Sequence, residues 1–300
     1  MTKRARLIYN PVSGHEQMLQ NVAGILNVLE QAGFEASAYQ TTPEPLSAQK
    51  EATRCSLDGF DLIVGAGGDG TINEVVNGIA PLEKRPKVAV VPAGTTNDYA
   101  RALNIPRDNL IDAAKVILKG KTQKMDIGKA ADKYFMNIAA SGSLTDLTYA
   151  VPSQLKSVLG YSAYLIKGME MFPHIKNRKM RLTYDDGVYE GDMSMFLLGM
   201  TNSMGGLEQI MPDAQLSDGL FQLIVVKTAN PMEVLRLLGM ALKGTHVNDP
   251  RIIYTKTRSL KVEPLDKEKE PIPINLDGEL GGYLPIEFQN LQQHIEFYIG

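Results

Sequence analysis

The stretch that decides the fold is Gly65–Gly78, "GAGGDGTINEVVNG", which directly follows the apolar run "DLIV". Its glycines predict a tight turn after a buried strand. The apolar residues after the turn recur at helical spacing, at Ile72, Val75, Val76 and Ile79. They predict a helix with one face on a sheet. Thr71 and Glu74 have capping-box spacing, so the helix is expected to start at the turn, with its N-terminal amides available to an anion.

The same strand-turn-helix rhythm extends through the first 120 or so residues and predicts βαβ units around a parallel sheet. Ligands of such sheets bind beyond the carboxyl ends of the strands. Those ends carry small, polar or glycine-rich turns at Asn10–Gly14, Thr41–Thr42, Gly65–Gly70 and Pro92–Asp98. The sequence therefore predicts a ligand site along one rim of this sheet.

Asp69 is the unusual residue of this rim, because a carboxylate repels phosphate. Gly65, Gly67 and Gly70 match G-x-G-x-x-G, but the turn follows the third strand and no acid lies about 20 residues further on, which disfavours a dinucleotide fold. No Gly-Lys-Ser/Thr follows, which excludes a Walker A loop. Two interpretations remain open from the residues: an Asx turn, or a magnesium-mediated contact with a nucleotide.

After Gly120 the pattern changes to strand-like segments with hairpin punctuation at Asp185–Gly187, interrupted by helical patterns over Leu155–Phe172 and Pro231–Lys243. We expect an α/β domain with a parallel sheet over residues 1–122, and a second, β-rich and sandwich-like domain over 123–286. The final segment, about 287–300, is a candidate to pack back on the first domain.

Composition narrows the function classes. The chain has 300 residues, 44% of them hydrophobic, a formal net charge of -3, one cysteine and four scattered histidines. The charge disfavours a whole-surface electrostatic contact with nucleic acid or anionic lipid, and the single Cys55 excludes an internal disulfide. The apolar part of the N-terminus is too short for a signal peptide, and other apolar runs are too short or too polar to span a bilayer. We therefore expect a cytoplasmic protein in which any membrane contact is peripheral.

Five motifs together resemble the soluble diacylglycerol kinase and lipid kinase family, in particular its Gram-positive bacterial type. They are "NPVSG", "GGDGTINEVVNG", "PAGTTNDYAR", "PDAQLSDGLF" and "NLDGELGG", at approximately the family's order and spacing. The nucleotide domain is also similar, more distantly, to those of sphingosine kinases, NAD kinases and phosphofructokinases. The resemblance covers essentially the whole chain and implies an ATP- and magnesium-dependent kinase that converts diacylglycerol to phosphatidic acid.

The resemblance implies that residues 1–122 are a nucleotide-binding domain, with its ATP site on the predicted rim, and that 123–286 are a lipid or substrate domain. Asp69 would be the catalytic carboxylate that anchors magnesium. The other members of the site would be Asn10, Pro11, Val12, Ser13, Gly14, Thr41, Gly67, Gly68, Gly70, Thr71, Asn73, Glu74 and Thr95. Asp98 would fix Asn97 or Arg101. His15 departs from the family, in which a lysine is common at this position.

The resemblance further implies that Glu279, in the turn Asp277-Gly278-Glu279, is the general base for the lipid hydroxyl. The residues alone also fit a solvated hairpin turn. A structural magnesium site would use the Asp218 carboxylate and the carbonyls of Gln215 and Leu220, where a simple turn before a strand is the alternative.

Diacylglycerol at a membrane surface is the implied partner. The basic and aromatic segment Leu155–Lys179 is either an interfacial patch or a helix packed on its own domain. A homodimer is suggested by the resemblance alone. One alternative function is a kinase of the same superfamily whose acceptor is a sphingoid base, another lipid alcohol or NAD. A second is a non-catalytic regulator that binds lipid or nucleotide. A third and more remote one is an NAD-dependent oxidoreductase.

Overall fold

The structure is a computed structural model that describes residues 2–14, 17–142, 177–202, 209–227, 230–241, 243–266 and 271–300. Across these residues, no helix combines the length and the apolar character needed to cross a membrane.

The N-terminal half is a parallel sheet between two layers of helices. Its strands are β1 (Lys3–Tyr9), β2 (Phe34–Gln40), β3 (Leu62–Gly67) and β4 (Lys87–Pro92), paired in the order β2-β1-β3-β4. Its helices are α1 (Gln17–Gln31), α2 (Ser47–Leu57), α3 (Asp69–Ile79), α4 (Asp98–Ala102) and α5 (Leu110–Lys115), followed by a 3-10 turn at Val116–Lys119. Helices α2 and α3 pack together, as do α1 and α5. Right-handed crossovers place the two pairs on opposite faces of the sheet.

Burial explains why these segments form this sheet. All six residues of β3 are buried, as expected for a parallel strand with helices on both faces. The apolar stripe of α3, predicted from its spacing, is also buried, at Ile72, Val75, Val76 and Ile79. The predicted α/β class of the N-terminal half is therefore confirmed.

The C-terminal half is built mainly from antiparallel strands. They are β5 (Thr122–Ala130), β6 (Lys133–Phe135), β7 (Ile138–Gly142), β8 (Arg178–Tyr184), β9 (Gly187–Gly199), β10 (Phe221–Lys227), β11 (Ile252–Thr257), β12 (Ser259–Pro264), β13 (Pro273–Leu276), β14 (Glu279–Tyr283) and β15 (Ile286–Tyr298). Helix α6 (Pro231–Ala241) confirms the helical pattern predicted there. The predicted hairpin at Asp185–Gly187 joins β8 and β9, with Tyr184 paired to Gly187.

An aromatic cluster fills the core of this half. Phe135 stacks on Phe221 with ring centroids 5.7 Å apart, and Phe288 meets Phe135 and Phe196 edge-on at 6.2 and 5.9 Å. All four rings are fully buried. Aromatic burial of this kind dominates core energetics, so this cluster holds the strands of the second half together.

Strand β15 connects the two halves. It pairs antiparallel with β12 and β5 and then parallel with β4, at Phe297 and Val88. Ile295 and Phe297 are buried in the N-terminal core. The sheet consequently runs without a break from one half to the other, and the division at residue 122 stays a prediction.

Candidate active site

Three turns meet at the carboxyl rim of the parallel sheet. The Asn10 amide donates to the Ala66 carbonyl at 2.9 Å, and the Ala93 amide donates to the Gly67 carbonyl at 2.8 Å. A Cβ atom on Gly94 would lie only 2.7 Å from the Gly68 Cα. Because no side chain fits between these backbones, the two glycines allow the turns to form one concave rim.

The other predicted rim residues of the first turn and of β2 lie at the same edge. The Thr41 amide donates to the Tyr9 carbonyl at 2.9 Å. The Val12 amide donates to the Asn10 side chain at 3.1 Å, and the Val12 side chain is exposed. Gly14, at φ 64°, faces the Ala93 carbonyl. Pro11 and Ser13 lie between these positions. The first turn is thus folded against the turn that contains Ala93.

Helix α3 starts three residues earlier than its capping signal indicates. Its N-cap is Gly68, without a side-chain cap, so Thr71 falls at the third helical position. The amides of Thr71 and Ile72 both donate to the Gly68 carbonyl, at 3.0 and 3.2 Å. The predicted capping box is therefore wrong, because a box requires Thr71 to be the N-cap itself. Asp69 and Gly70 instead form the first turn, with Gly70 exposed.

Glu74 stabilises a different helix. Its carboxylate accepts a 2.9 Å hydrogen bond from the Ala48 amide, at the N-terminus of α2. The residue that precedes this helix, Leu46, lies at φ 62° and provides no side-chain cap. A carboxylate from α3 therefore satisfies an amide that α2 leaves unpaired.

Asp69 lies half-buried at the rim with few partners. Among the described residues its carboxylate accepts two long hydrogen bonds, from the Asp98 amide at 3.4 Å and the Tyr99 amide at 3.5 Å. Burial is the main cause that raises the pKa of Asp69 to about 6. The Asp98 carboxylate and, more weakly, the Asp277 carboxylate also raise this pKa, whereas the two amide donors lower it. Such an environment favours a partner with positive charge over an isolated carboxylate.

The turn before α4 fixes the backbone beside Asp69. The Asn97 side chain accepts from the Gly94 amide at 2.9 Å and donates to the Gly94 carbonyl at 2.8 Å. Asn97 itself adopts φ 52°, which asparagine tolerates better than most residues. Thr95 is exposed on the same turn. Arg101 Nη1 lies 4.0 Å from Asp98 Oδ1.

A second acidic turn faces this rim from the C-terminal half. Asp277 and Gly278 join β13 to β14 with positive φ values of 48° and 107°. The Asp277 carboxylate accepts from the amides of Met136, Asn137 and Ile138 at 2.6, 2.8 and 2.8 Å. Burial raises the pKa of this carboxyl, whereas the N–H donors, which match its ionised form, act in the opposite direction. Glu279 follows two residues later and is exposed.

Two asparagines connect α3 to this turn. Asn73 Nδ2 donates to Asp277 Oδ2 at 3.0 Å. One turn further on, the Asn77 side chain accepts from the Tyr134 amide and donates to the Tyr134 carbonyl, both at 2.9 Å. Asp277 and Asn77 are absent from the residues predicted to form the site. Only the four-residue spacing of the two asparagines indicates that they share one face of α3.

The loop expected to hold a structural magnesium ion lies on the segment before β10. The Leu220 amide donates to Asp218 Oδ1 at 3.1 Å, and Lys256 Nζ lies 3.9 Å from Asp218 Oδ2. Gln215 is exposed. Buried Asp126, which the sequence interpretation did not single out, accepts from the Gly219 amide at 2.6 Å. Within the described ranges no three His, Cys, Asp or Glu side chains cluster as cation ligands, so a site on Asp218 has to use carbonyl oxygens.

Two expectations fall outside the described residues. One concerns His15. The other concerns the segment Leu155–Lys179, of which the structure describes residues 177–179. Lys179, at its end, belongs to β8.

Family models match both halves of the chain. Residues 4–130 match the diacylglycerol kinase catalytic domain. Residues 147–298 match the YegS C-terminal NAD kinase beta sandwich-like domain. The second match confirms the predicted sandwich-like character of the C-terminal half.

Similar proteins share nearly the full length of the chain. A diacylglycerol kinase of Bacillus subtilis (strain 168) is 50% identical over 295 residues, which cover 98% of this chain and 95% of that protein. A diacylglycerol kinase of Staphylococcus carnosus (strain TM300) is 47% identical, over 99% and 95% of the two chains. The crystal structure of a diacylglycerol kinase from Bacillus anthracis str. Sterne superposes with a TM-score of 0.78 at 26% identity, over 100% of this chain and 97% of that one. With a rim of glycine turns, two acidic turns facing each other and this similarity along its whole length, the chain belongs to the diacylglycerol kinase family.

Proposed function

We propose that this enzyme transfers the γ-phosphoryl group of ATP to the free hydroxyl of diacylglycerol and releases phosphatidic acid. The observation that carries the proposal is the pair of acidic turns. Asp69 lies at the start of α3, and Asn73 on the same helix donates to the Asp277 carboxylate at 3.0 Å. Phosphoryl transfer needs this kind of arrangement, in which charged groups position a nucleotide and a hydroxyl next to each other.

The nucleotide would occupy the rim between the first turn, Asn10–Gly14, and the start of α3. Amides of the glycine turns and the N-terminus of α3 would bind its phosphates without a Walker lysine. Thr41, Thr71 and Thr95 would contribute hydroxyl groups, in keeping with their positions at the same edge. Asn73 would act less directly, because its side chain already donates to Asp277.

Magnesium fits the residues around Asp69. Carboxylate oxygens are the ligands that this hard cation prefers, and burial, followed by the neighbouring Asp98 carboxylate, raises the pKa of Asp69. A bound magnesium ion would neutralise phosphate charge that Asp69 would otherwise repel. Asp69 would anchor that ion directly or through water, and Asp98 would add negative charge beside it. A second, structural ion on Asp218 and the carbonyls of Gln215 and Leu220 is part of the same proposal.

Glu279 would be the general base. Its exposed side chain is borne on β14, and the backbone next to it is held by a 2.7 Å hydrogen bond from Lys133 Nζ to the Leu280 carbonyl. From this position the carboxylate would accept the proton of the lipid hydroxyl as the oxygen attacks phosphorus. Asp277, fixed by its donors, would set the position of the turn.

The lipid would reach the site from a membrane surface. We propose that the enzyme works in the cytoplasm and associates peripherally with the inner face of the membrane, and that it forms a homodimer. Basic residues of the segment Leu155–Lys179 would then meet anionic headgroups, which predicts an interaction that weakens as salt increases.

Phosphate transfer from labelled ATP tests the proposal. The purified enzyme with magnesium is offered diacylglycerol, monoacylglycerol, ceramide and sphingosine in mixed micelles, and NAD in solution. We expect phosphatidic acid as the main product. Glu279→Gln should lower kcat by about 10²- to 10⁴-fold, the usual value of a general base, and leave the unfolding midpoint unchanged because the side chain is exposed.

The rival functions give different results in the same assay. Preference for a sphingoid base, another lipid alcohol or NAD would replace diacylglycerol as acceptor and leave the site assignment intact. Binding of ATP with no phosphorylated product from any acceptor would favour the non-catalytic regulator. Turnover close to normal in Glu279→Gln would refute the assignment of the base.

A further inference from the structure

The hairpin of β13 and β14 carries exposed apolar side chains next to the turn that leads to Glu279. Leu280 and Tyr283, both on β14, keep 53% and 50% of their surface exposed. They are three residues apart, and in a regular strand this spacing directs two side chains to opposite faces. Whether the two side chains form one surface therefore depends on how β14 pairs with β13.

A bulge in β14 brings the two side chains to one face. The pairs across the hairpin are Leu280 with Asn275, Gly282 with Ile274, and Tyr283 with Pro273. Gly281 has no opposite residue in this register, so it is the extra residue of a bulge. Side chains of directly opposite residues project to the same side, and Pro273 and Asn275 share a side because they are two residues apart. Leu280 and Tyr283 consequently share that side as well.

The two faces of the hairpin differ in what covers them. Ile274 and Leu276 project from the inner face and are buried in the core of the C-terminal half. Pro273, Leu280 and Tyr283 are exposed on the outer face, and we call these three residues the β14 patch. The outer face of an antiparallel hairpin is usually polar. A contiguous apolar patch there is typical of an interaction surface.

The edge of β14 is poorly suited to pairing with a strand of another molecule. Among the described strands, β14 pairs with β13 alone. The bulge at Gly281 interrupts its ladder, and the Leu280 carbonyl already accepts a 2.7 Å hydrogen bond from Lys133 Nζ. Bulges and lysines are common means of preventing strand addition at a sheet edge. A partner would therefore contact the side chains of the β14 patch and not the backbone of the edge.

The neighbouring turn points to a lipid bilayer as the partner. Glu279, proposed as the base for the lipid hydroxyl, directly precedes Leu280 in β14. Diacylglycerol keeps its acyl chains in the bilayer while its hydroxyl reaches this carboxylate, so the bilayer surface has to lie close to β14. The two exposed residue types fit such a surface, because leucine partitions into the hydrocarbon and tyrosine is enriched at the level of the headgroups.

We propose that the β14 patch inserts into the headgroup region of a lipid bilayer and holds the turn of Glu279 at the membrane surface. The inference rests on the proposed function. It adds an apolar contact to the electrostatic contact expected of the segment Leu155–Lys179. The two contacts respond differently to salt, because ions screen the attraction of basic side chains to headgroups but do not screen apolar burial.

Sedimentation with neutral vesicles at high salt isolates the apolar contact. The vesicles consist of phosphatidylcholine alone, and potassium chloride at about 1 M shortens the Debye length to about 3 Å. Diacylglycerol and nucleotide are left out, so the measurement is independent of turnover and of acceptor binding. Wild type is compared with Leu280→Ser and Tyr283→Ser. Val188→Ser is the matched control, because it removes an apolar side chain that is 56% exposed on β9.

We expect wild type to bind these vesicles and each β14 serine variant to lower the partition coefficient about threefold to tenfold, because less apolar surface leaves water. Val188→Ser should match wild type. Leu280→Trp should raise the partition coefficient, since tryptophan favours the membrane interface. This variant changes binding in the other direction, so the test stays decisive if a serine variant unfolds. The unfolding midpoint of every variant is recorded.

Three results would overturn the inference. Absence of wild-type binding to neutral vesicles at high salt would leave only the electrostatic contact. Unchanged binding in both serine variants would show that other residues contact the bilayer. Unchanged binding together with a dimer that the serine variants weaken, measured by sedimentation velocity, would assign the β14 patch to a second copy of the chain. Absence of diacylglycerol phosphorylation by wild type would refute the proposed function, a failure that the vesicle measurement does not share.

Discussion

Asp69 and Asp277 are carboxylates on opposite sides of one cleft, and they are held in opposite ways. Asp277 receives four N–H donors at 2.6 to 3.0 Å, three from consecutive amides and one from Asn73. Asp69 receives two, at 3.4 and 3.5 Å, which is beyond the usual range of a strong hydrogen bond. The first carboxylate is fully satisfied within the protein, and the second is not.

This difference separates positioning from binding. A carboxylate that already accepts four hydrogen bonds has little capacity left for a ligand, but it fixes the chain around it. A carboxylate with weak donors, near other negative charges, is destabilised in the free protein and gains most from a cation. We therefore propose that Asp277 positions Glu279 and that Asp69 binds the metal-nucleotide complex.

Asp69→Asn should produce the largest effect. We expect kcat/KM to fall by at least about 10²-fold, since the amide carries no charge for magnesium. The same change should increase the free energy of unfolding above pH 6 by about 1–3 kcal/mol, because it removes a carboxylate whose pKa lies near 6 instead of 3.8. Kinetic assays and urea unfolding between pH 4 and pH 8 measure the two effects.

The sign of the pH dependence is specific to a raised pKa. Folded Asp69 holds its proton more tightly than the unfolded chain, so wild type loses stability as pH rises from about 4 to about 6, and the advantage of the asparagine variant should vanish below about pH 4. Asp112→Asn, at an exposed ion pair with Lys115, is the control and should change neither activity nor stability appreciably. A less stable Asp69→Asn protein at pH 7 would contradict the contrast with Asp277.

Asp277→Asn should have the next largest effect, with the opposite sign on stability. Asparagine replaces one carboxylate oxygen with an NH₂ group, and this group would face the N–H donors that the oxygen accepted from. We expect a loss of about 2–4 kcal/mol in the free energy of unfolding. Because Glu279 is two residues away, kcat should also fall, while KM for ATP changes little.

A second hairpin aspartate separates positioning from simple loss of stability. The Asp185 carboxylate accepts from the Arg258 and Ser259 amides, at 2.8 and 3.3 Å, in a turn of β8 and β9 remote from the site. Asp185→Asn should reduce stability and leave kcat unchanged when the assay is run well below its unfolding midpoint. Equal kcat in Asp277→Asn and Asp185→Asn would reduce Asp277 to a structural role.

The sequence predicted the elements of the rim well, for a physical reason. Hydrophobic periodicity and glycine turns are local, and parallel strands bring their carboxyl ends to one edge. Asn10, Gly68 and Gly94 are far apart in the chain, yet the topology alone places their turns together.

Contacts made by individual side chains across the sequence were harder to predict. The partners of Asp277 lie about 140 residues earlier, in the turn before β7, and no spacing rule connects them. The donor set depends on how the two halves pack. The spacing of Thr71 and Glu74 correctly predicted that a helix starts near this turn, but it predicted the wrong N-cap. Gly68 is the N-cap, and Glu74 accepts a hydrogen bond from the Ala48 amide of another helix.

Glu74 carries the smallest predicted effect and sharpens the division between positioning and binding. The family resemblance implies a contact with ATP, whereas its carboxylate accepts a hydrogen bond from the Ala48 amide at the start of α2. Glu74→Gln keeps an acceptor oxygen and loses charge at a helix N-terminus, so it should cost about 0.3–1 kcal/mol of unfolding free energy. Glu74→Ala loses the acceptor as well and should cost about 1–2 kcal/mol.

Urea unfolding and the KM for ATP together test this role. If Glu74 only supports α2, the glutamine variant loses stability in urea unfolding and its KM for ATP stays constant. A several-fold change in KM for ATP at unchanged stability would instead place Glu74 among the groups that bind the nucleotide, the role proposed for Asp69.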